Sequence, residues 1–316
     1  MYRLPEWGRA HIEQAFDGAV RVVAFDESNP PGGLEETIDV YWGNYFSAAR
    51  LERMPRLKWI HCASVGVNRA IVPEVALRQI AVTNSRGLLA APVAAMVMGM
   101  IGALARGLHR GWQLRAEGAL NRLQFDQYFD ELHDLEGETC LIVGLGEAGT
   151  RVAAACAALG MTVEGIRNRS TAPPAGVARV HTLANLTEAV RTADFVVNLL
   201  PLTPATKGVF DQGVFQAMKP TASFINVGRG PTVDEAALIG ALEAGTIASA
   251  GLDVFEVEPL PADSRLWTLP RTILMPHVAC LSTRYWPRQI ALLEDNIRLF
   301  AAGKPLANTV DFTLGY

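Results

Sequence analysis

Short apolar runs recur along the chain at residues 20–25, 38–41, 58–62 and 80–83, each separated from the next by helical or loop material. Such alternation predicts a parallel α/β sheet, because a parallel pair needs a crossover and the crossovers cover both faces. An amphipathic helix at 6–16 precedes these runs, and a nearly all-apolar stretch at 92–110, with Gly99, Gly102 and Gly107, predicts one long buried helix. The segment 117–138 is more polar, carries Phe125, Tyr128 and Phe129, and is expected to be a loop or short helix.

The alternation then resumes, with strands predicted at 162–166, 195–199, 223–226, 248–253 and 273–275. Helical patterns fall at 186–192 and at 234–244, the latter closed by Gly245. A last helix, 285–302, stops at Gly303-Lys304-Pro305 and is expected to return to the first domain. The predicted fold class is therefore α/β, with two Rossmann-like parallel-sheet domains. One comprises 1–92 with 285–316 and is discontinuous; the other comprises 93–284.

The most informative stretch runs from Thr139 to Gly149. A β-branched strand stops at Gly144-x-Gly146-x-x-Gly149 and continues into an alanine-rich helix. Strand, glycine turn, helix and second strand together form the fingerprint of a dinucleotide-binding unit. Gly144 makes the tight turn, Gly146 lets backbone approach a pyrophosphate, and Gly149 lets helix pack on strand. The helix N-terminus then faces the phosphates with unpaired N–H groups. About twenty residues past the fingerprint, NAD-dependent proteins usually carry Asp or Glu for the ribose hydroxyls. This chain instead reads Arg167-Asn168-Arg169-Ser170, which suits a 2′-phosphate and predicts NADP(H) in preference to NAD(H).

Composition narrows the class further. The 316 residues, half of them hydrophobic, are enough for two cores, and the net charge of −4 includes no basic stripe that would argue for nucleic acid. No signal peptide or membrane span is read from the chain, so a cytoplasmic protein is expected. Cys62, Cys140, Cys156 and Cys280 lack CxxC spacing and are read as reduced packing thiols, with no metal site.

Candidate chemistry lies on three segments that follow strands. Arg229 sits between Gly228 and Gly230 after one strand, Asp253 and Glu258 follow the next, and His277 follows Pro276 after a third. Ligands of open α/β sheets bind at such carboxyl ends, so the three segments converge on one edge.

These residues, with Ser64-Val-Gly-Val-Asn68, Val82-Thr-Asn-Ser-Arg-Gly87, Leu200-Pro-Leu-Thr-Pro-Ala-Thr206, Gly251-Leu-Asp-Val-Phe255 and the fingerprint, carry a resemblance over nearly the whole chain. It is to the D-isomer-specific 2-hydroxyacid dehydrogenase family, within it the glyoxylate/hydroxypyruvate reductase branch. The resemblance implies an active site in the cleft between a flavodoxin-like substrate domain and the dinucleotide domain. It implies an enzyme that reduces a small 2-oxoacid to the D-2-hydroxyacid by hydride transfer. His277 would serve as acid and base, Arg229 would bind and polarise the substrate, and Glu258 would tune His277. The substrate carboxylate would be held by Val65 and Gly66. Cofactor contacts carry over to Glu147, Ala148, Leu200, Pro201, Thr206, Val227, Gly228 and Asp253, and a homodimer through the dinucleotide domain is implied. The chain departs from the family at Ala95, where a glutamate is common, and at Asn68, where an aspartate is usual. The usual opening strand is also missing, with residues 2–4 expected to pair as a remnant. The rival readings are a dinucleotide-sensing binding module of corepressor type and a formate or oxyanion dehydrogenase of the same fold.

Overall fold

Seven strands of the second half form one all-parallel sheet, and three of the first half form another. The structure is a computed structural model and describes residues 4–24, 33–43, 46–67, 72–167 and 172–312. The chain divides into two compact units, residues 1–89 with 281–316 and residues 90–280.

In the first unit, β1 (Val40–Trp42), β2 (Trp59–Cys62) and β3 (Ala81–Asn84) pair in that order. Side chains alternate across the sheet as a pleat requires. Ile60 and Cys62 enter a core with Leu51, Met54 and Val82, whereas Trp59 packs on the other face with Ile12, Ile290 and Leu293. The last two residues belong to the helix Tyr285–Ala301, so the end of the chain does cover this sheet. The tail beyond it bonds antiparallel beside β3 through Asn84 N to Asn308 O at 3.1 Å and Val310 N to Val82 O at 2.9 Å.

The run at 20–25 behaves differently from its pattern. Residues 21–24 form no ladder, and Val22 donates its N–H to Glu13 Oε1 at 2.9 Å instead of to a strand partner. Val20 and Val22 still bury apolar surface against the Ile12–Trp59 cluster, which accounts for their hydrophobicity. Phe25 and residues 2 and 3 of the expected remnant strand lie outside the described residues.

In the second unit, β4 (Thr139–Val143), β5 (Thr162–Ile166), β6 (Arg179–His181), β7 (Phe195–Asn198), β8 (Ser223–Asn226), β9 (Ser249–Leu252) and β10 (Thr272–Leu274) are ordered β10-β9-β8-β7-β4-β5-β6. The order reverses at β4, where the chain first runs outward to β6 and then returns to β7 on the other side. That reversal is the switch point at which doubly wound sheets bind ligands. Both faces are covered: Leu141, Val143, Val196 and Phe224 enter one core, and Cys140, Ile142, Val197 and Ile225 enter the other. The inner strands β4, β7, β8 and β9 are almost wholly buried because neither face meets water.

The apolar stretch at 92–110 is two helices. Ala90–Ala105 ends at Gly107, which takes a left-handed φ of 63°, and Leu108–Ala116 leaves at a 70° bend. A residue without Cβ makes that turn at little cost, and the all-apolar pattern gives no sign of it. No single helix among the described residues is long and apolar enough to cross a membrane. Cys62, Cys140 and Cys156 are buried and form no disulfide; burial pushes the Cys62 thiol up to about 12.

Candidate active site

The fingerprint sits on the switch point. Gly144 follows β4 with a φ of 112°, and a Cβ there would lie 3.0 Å from the carbonyl carbon and oxygen of Leu199, the residue after β7. A Cβ on Gly149 would lie 2.2 Å from Gly144 O, so the helix Glu147–Ala158 approaches the turn only because that atom is missing. Gly146 is different: its φ of −82° suits any residue, and an added Cβ would meet no chain atom within 4 Å. Packing therefore does not explain its glycine, and the turn leaves open space beside the backbone there. Gly146 is also the N-cap and brings no side chain to the first-turn N–H groups, Glu147 and Ala148 being the first residues of that turn. Those donors and the helix dipole suit a phosphate group.

Beside the fingerprint, Gly144 N and Leu145 N both donate to Ile166 O at 3.1 Å, which fixes the end of β5 against the glycine turn. Arg167 is the next residue, half-buried, with its N–H on His181 O at 3.1 Å. Asn168, Arg169 and Ser170 lie outside the described residues.

On the other side of the switch point, two loops are tied by buried polar side chains that the sequence reading overlooked. Asn198 Oδ1 accepts from Leu200 N at 3.1 Å, and Asn226 Oδ1 accepts from Gly228 N at 3.1 Å. Asn198 Nδ2 joins them, donating to Asn226 Oδ1 at 3.0 Å and to Thr232 Oγ1 at 2.7 Å. Asparagine ending two adjacent parallel strands was the available signal, at Asn198 and Asn226. Val227 is buried, and Thr206 spends its hydroxyl closing its own loop, donating to Pro201 O at 2.6 Å and accepting from Thr203 N at 2.8 Å.

Arg229 is held by the glycines around it. A Cβ on Gly228 would lie 2.7 Å from Leu200 O, and one on Gly230 only 1.7 Å from Phe255 O. The Arg229 segment is thus pressed against the segment that follows β9. Its guanidinium Nη1 donates to Gly228 O at 2.6 Å, and the side chain is half-buried.

Glu258 and His277 meet across 19 residues of sequence. His277 Nδ1 is 2.7 Å from Glu258 Oε2, while Glu258 Oε1 accepts from Phe255 N at 3.2 Å. With Nδ1 facing a carboxylate, Nε2 is the ring nitrogen left for proton exchange. His277 takes a left-handed φ of 55°. That backbone is held by Asp253, which is almost fully buried. Its carbonyl accepts from His277 N at 2.8 Å, and its carboxylate oxygens accept from Val278 N and Ala279 N, each at 2.9 Å. Burial pushes the Asp253 carboxyl up from its usual range, against the two amide bonds that favour its charged form. The sequence reading gave Asp253 to the cofactor; the structure adds that its two carboxylate oxygens each hold an N–H of the His277 loop.

In the first unit, Val65 and Gly66 follow β2. Their carbonyls are occupied, Val65 O by Asn84 Nδ2 at 3.0 Å and Gly66 O by Ser64 Oγ at 2.7 Å. Their N–H groups donate to no described residue, an arrangement that suits an anion. Asn68 lies outside the described residues. Among the described residues no group of three His, Cys, Asp or Glu side chains could hold a metal ion.

A doubly wound sheet with a dinucleotide turn at its switch point, and an arginine and a histidine–glutamate pair at the same edge, defines a nicotinamide-dependent oxidoreductase. Residues 98–279 match the model of the D-isomer specific 2-hydroxyacid dehydrogenase, NAD binding domain. Glyoxylate/hydroxypyruvate reductase B of Klebsiella pneumoniae is 37% identical over 277 residues, covering 87% of this chain and 82% of that protein. A D-isomer specific 2-hydroxyacid dehydrogenase from Xanthobacter autotrophicus Py2, solved with NADPH and MES, superposes with a TM-score of 0.83 at 31% identity, covering 98% of this chain and 95% of that one. An NADPH-dependent glyoxylate/hydroxypyruvate reductase from Sinorhizobium meliloti, solved with NADP and malonate, gives 0.77 at 28% identity, covering 92% and 89%. The chain belongs to the D-isomer-specific 2-hydroxyacid dehydrogenase family.

Proposed function

We propose that this protein reduces a small 2-oxoacid of the glyoxylate or hydroxypyruvate type to the D-2-hydroxyacid, with NADPH as the preferred cofactor. The observation that carries the reading is the His277–Glu258 pair at 2.7 Å, on the same sheet edge as Arg229 and the fingerprint. The nicotinamide supplies the hydride when bound. His277 Nε2 delivers a proton to the substrate oxygen and, in the reverse direction, removes it. Glu258 holds the ring in the Nδ1–H tautomer and fixes its orientation. Arg229 pairs with the substrate carboxylate and stabilises negative charge developing on the carbonyl oxygen. A screen of 2-oxoacids monitored by NADPH oxidation tests the reading. Turnover of glyoxylate or hydroxypyruvate supports it, and silence across the set alongside tight NADPH binding overturns it.

The cofactor preference rests on Arg167 at the end of β5, with Arg169 and Ser170 following in sequence, where an acidic residue would select NAD. Two charge-assisted contacts to a 2′-phosphate correspond to a preference of about tenfold to a few hundredfold in kcat/KM. The double variant Arg167→Ala, Arg169→Ala is expected to move most of the way to parity. Equal use of NADPH and NADH by the unaltered protein would show that the arginines are idle.

We also propose a homodimer through the second unit. The helix Ala90–Ala105 buries Val97, Ile101 and Ala105 fully within its own unit and leaves only small residues, Ala95 and Gly99, exposed. The apolar surface lies further on, at Trp112, Leu120, Leu123 and Phe129, of which Leu123 is 84% exposed and Phe129 73%. Exposed apolar side chains clustered along one segment mark an interaction surface. Arg110 fastens this segment to its unit by pairing with Glu131 at 2.9 Å and lying 4.5 Å from the centre of the Tyr128 ring. Light scattering at micromolar concentration is expected to give twice the chain mass, and a monomeric mass would end this proposal.

A further inference from the structure

We propose that Thr232 is a positioning residue for substrate binding, setting the direction of Arg229 through the Arg229 main chain; the inference rests on the reading of Arg229 given above. Thr232 Oγ1 donates to Arg229 O at 2.6 Å and accepts from Asn198 Nδ2 at 2.7 Å. One buried hydroxyl therefore links the carbonyl of the substrate arginine to the end of β7, the strand beside the switch point. The same asparagine holds Leu200 N, and its partner Asn226 holds Gly228 N, so the two loops that follow β7 and β8 share one hydrogen-bonded frame. Asn198, Asn226 and Thr232 are 0%, 2% and 0% exposed, and each bond in the frame has a defined donor and acceptor, so the frame has little freedom to adjust.

The main chain of Thr232 does not depend on this hydroxyl. Thr232 O accepts from Phe210 N at 3.1 Å, and Thr232 N donates to Arg229 O at 3.2 Å, so the turn Gly230–Thr232 keeps its anchors when the side chain changes. What the hydroxyl adds is a second bond to the Arg229 carbonyl, and with it the orientation of the peptide from which the guanidinium projects. A residue placed on that peptide by a charged substrate contact is sensitive to shifts of about 1 Å, which cost up to about 100-fold in rate.

The test is Thr232→Val, which keeps the shape and removes the hydroxyl, beside Thr232→Ser, which keeps the hydroxyl and removes the methyl. Thr232→Val is expected to raise KM for glyoxylate about tenfold or more, with NADPH affinity changed by less than about threefold and Thr232→Ser close to the unaltered protein. An unchanged KM in Thr232→Val, or equal loss in the valine and serine variants, would overturn the proposal, because neither outcome traces to the hydroxyl. A crystal structure of Thr232→Val separates this idea from the functional reading beneath it. If the unaltered protein reduces no 2-oxoacid but the Arg229 guanidinium is displaced by about 1 Å in the variant, positioning stands and the reading falls. If the guanidinium stays where it is, positioning falls whatever the activity.

Discussion

Exchange of His277 for asparagine is expected to lower kcat by about 10²- to 10⁴-fold, the range for loss of a general acid, while NADPH affinity stays within about threefold. Asparagine is chosen because His277 has a φ of 55°, a region where Asn is among the few residues accepted without much strain. The loop keeps its place without the ring. Asp253 holds it through the N–H groups of His277, Val278 and Ala279, and none of these bonds involves the imidazole. Loss of rate with an unchanged melting temperature would therefore assign the effect to the proton. Steady-state kinetics with glyoxylate and a fluorescence titration of NADPH provide the two readings, and turnover near that of the unaltered protein would remove His277 from the mechanism.

The second large effect separates two glycines that look alike in the sequence. Gly230→Ala is expected to abolish measurable turnover and lower the melting temperature by several degrees. Its Cβ would lie 1.7 Å from Phe255 O, 2.0 Å from Phe255 C and 2.6 Å from Glu256 N, all main-chain atoms of the segment that leads to Glu258. Overpacking costs about 1–3 kcal/mol when side chains yield, and here backbone must yield. At about 2–4 °C per kcal/mol for a domain of this size, the melting shift is readily measured. Gly146→Ala is expected to do the reverse. It meets no chain atom within 4 Å, so the melting temperature should hold, while NADPH binding weakens because the Cβ would stand where a pyrophosphate would approach the turn. Calorimetric melting and NADPH titration of both variants decide the matter. A large melting shift in Gly146→Ala, or none in Gly230→Ala, would contradict the roles assigned to them.

The contrast shows how far glycine spacing can be read. Gly144-x-Gly146-x-x-Gly149 was legible because strand, turn and helix are local and each imposes its own period. Nothing in the spacing distinguishes a glycine required by a neighbouring main chain from one required by a ligand, since the neighbour comes from another strand. Gly230 meets Phe255, 25 residues on, only because β8 and β9 are adjacent in the sheet. The short edge strand β6 was missed for a related reason. Arg179–His181 has one apolar residue and no run, and it is a strand only because β5 offers it a ladder.

By itself the sequence determined the α/β class, the dinucleotide turn, and the placing of Arg229, Glu258 and His277 after three successive strands. Each of these is written in local periodicity or in residues that follow a strand end. The tertiary structure decided which of those residues touch. It brought His277 to Glu258, made Asp253 an anchor of the His277 loop, and joined Asn198, Asn226 and Thr232 beneath Arg229. It also broke the apolar stretch at Gly107 and left large apolar side chains exposed on the residues beyond. The physical reason is common to all of these. A buried hydrogen bond or a main-chain contact between distant residues leaves no period in the sequence, because its partners are brought together by strand order, and strand order arises only when the sheet closes over both cores.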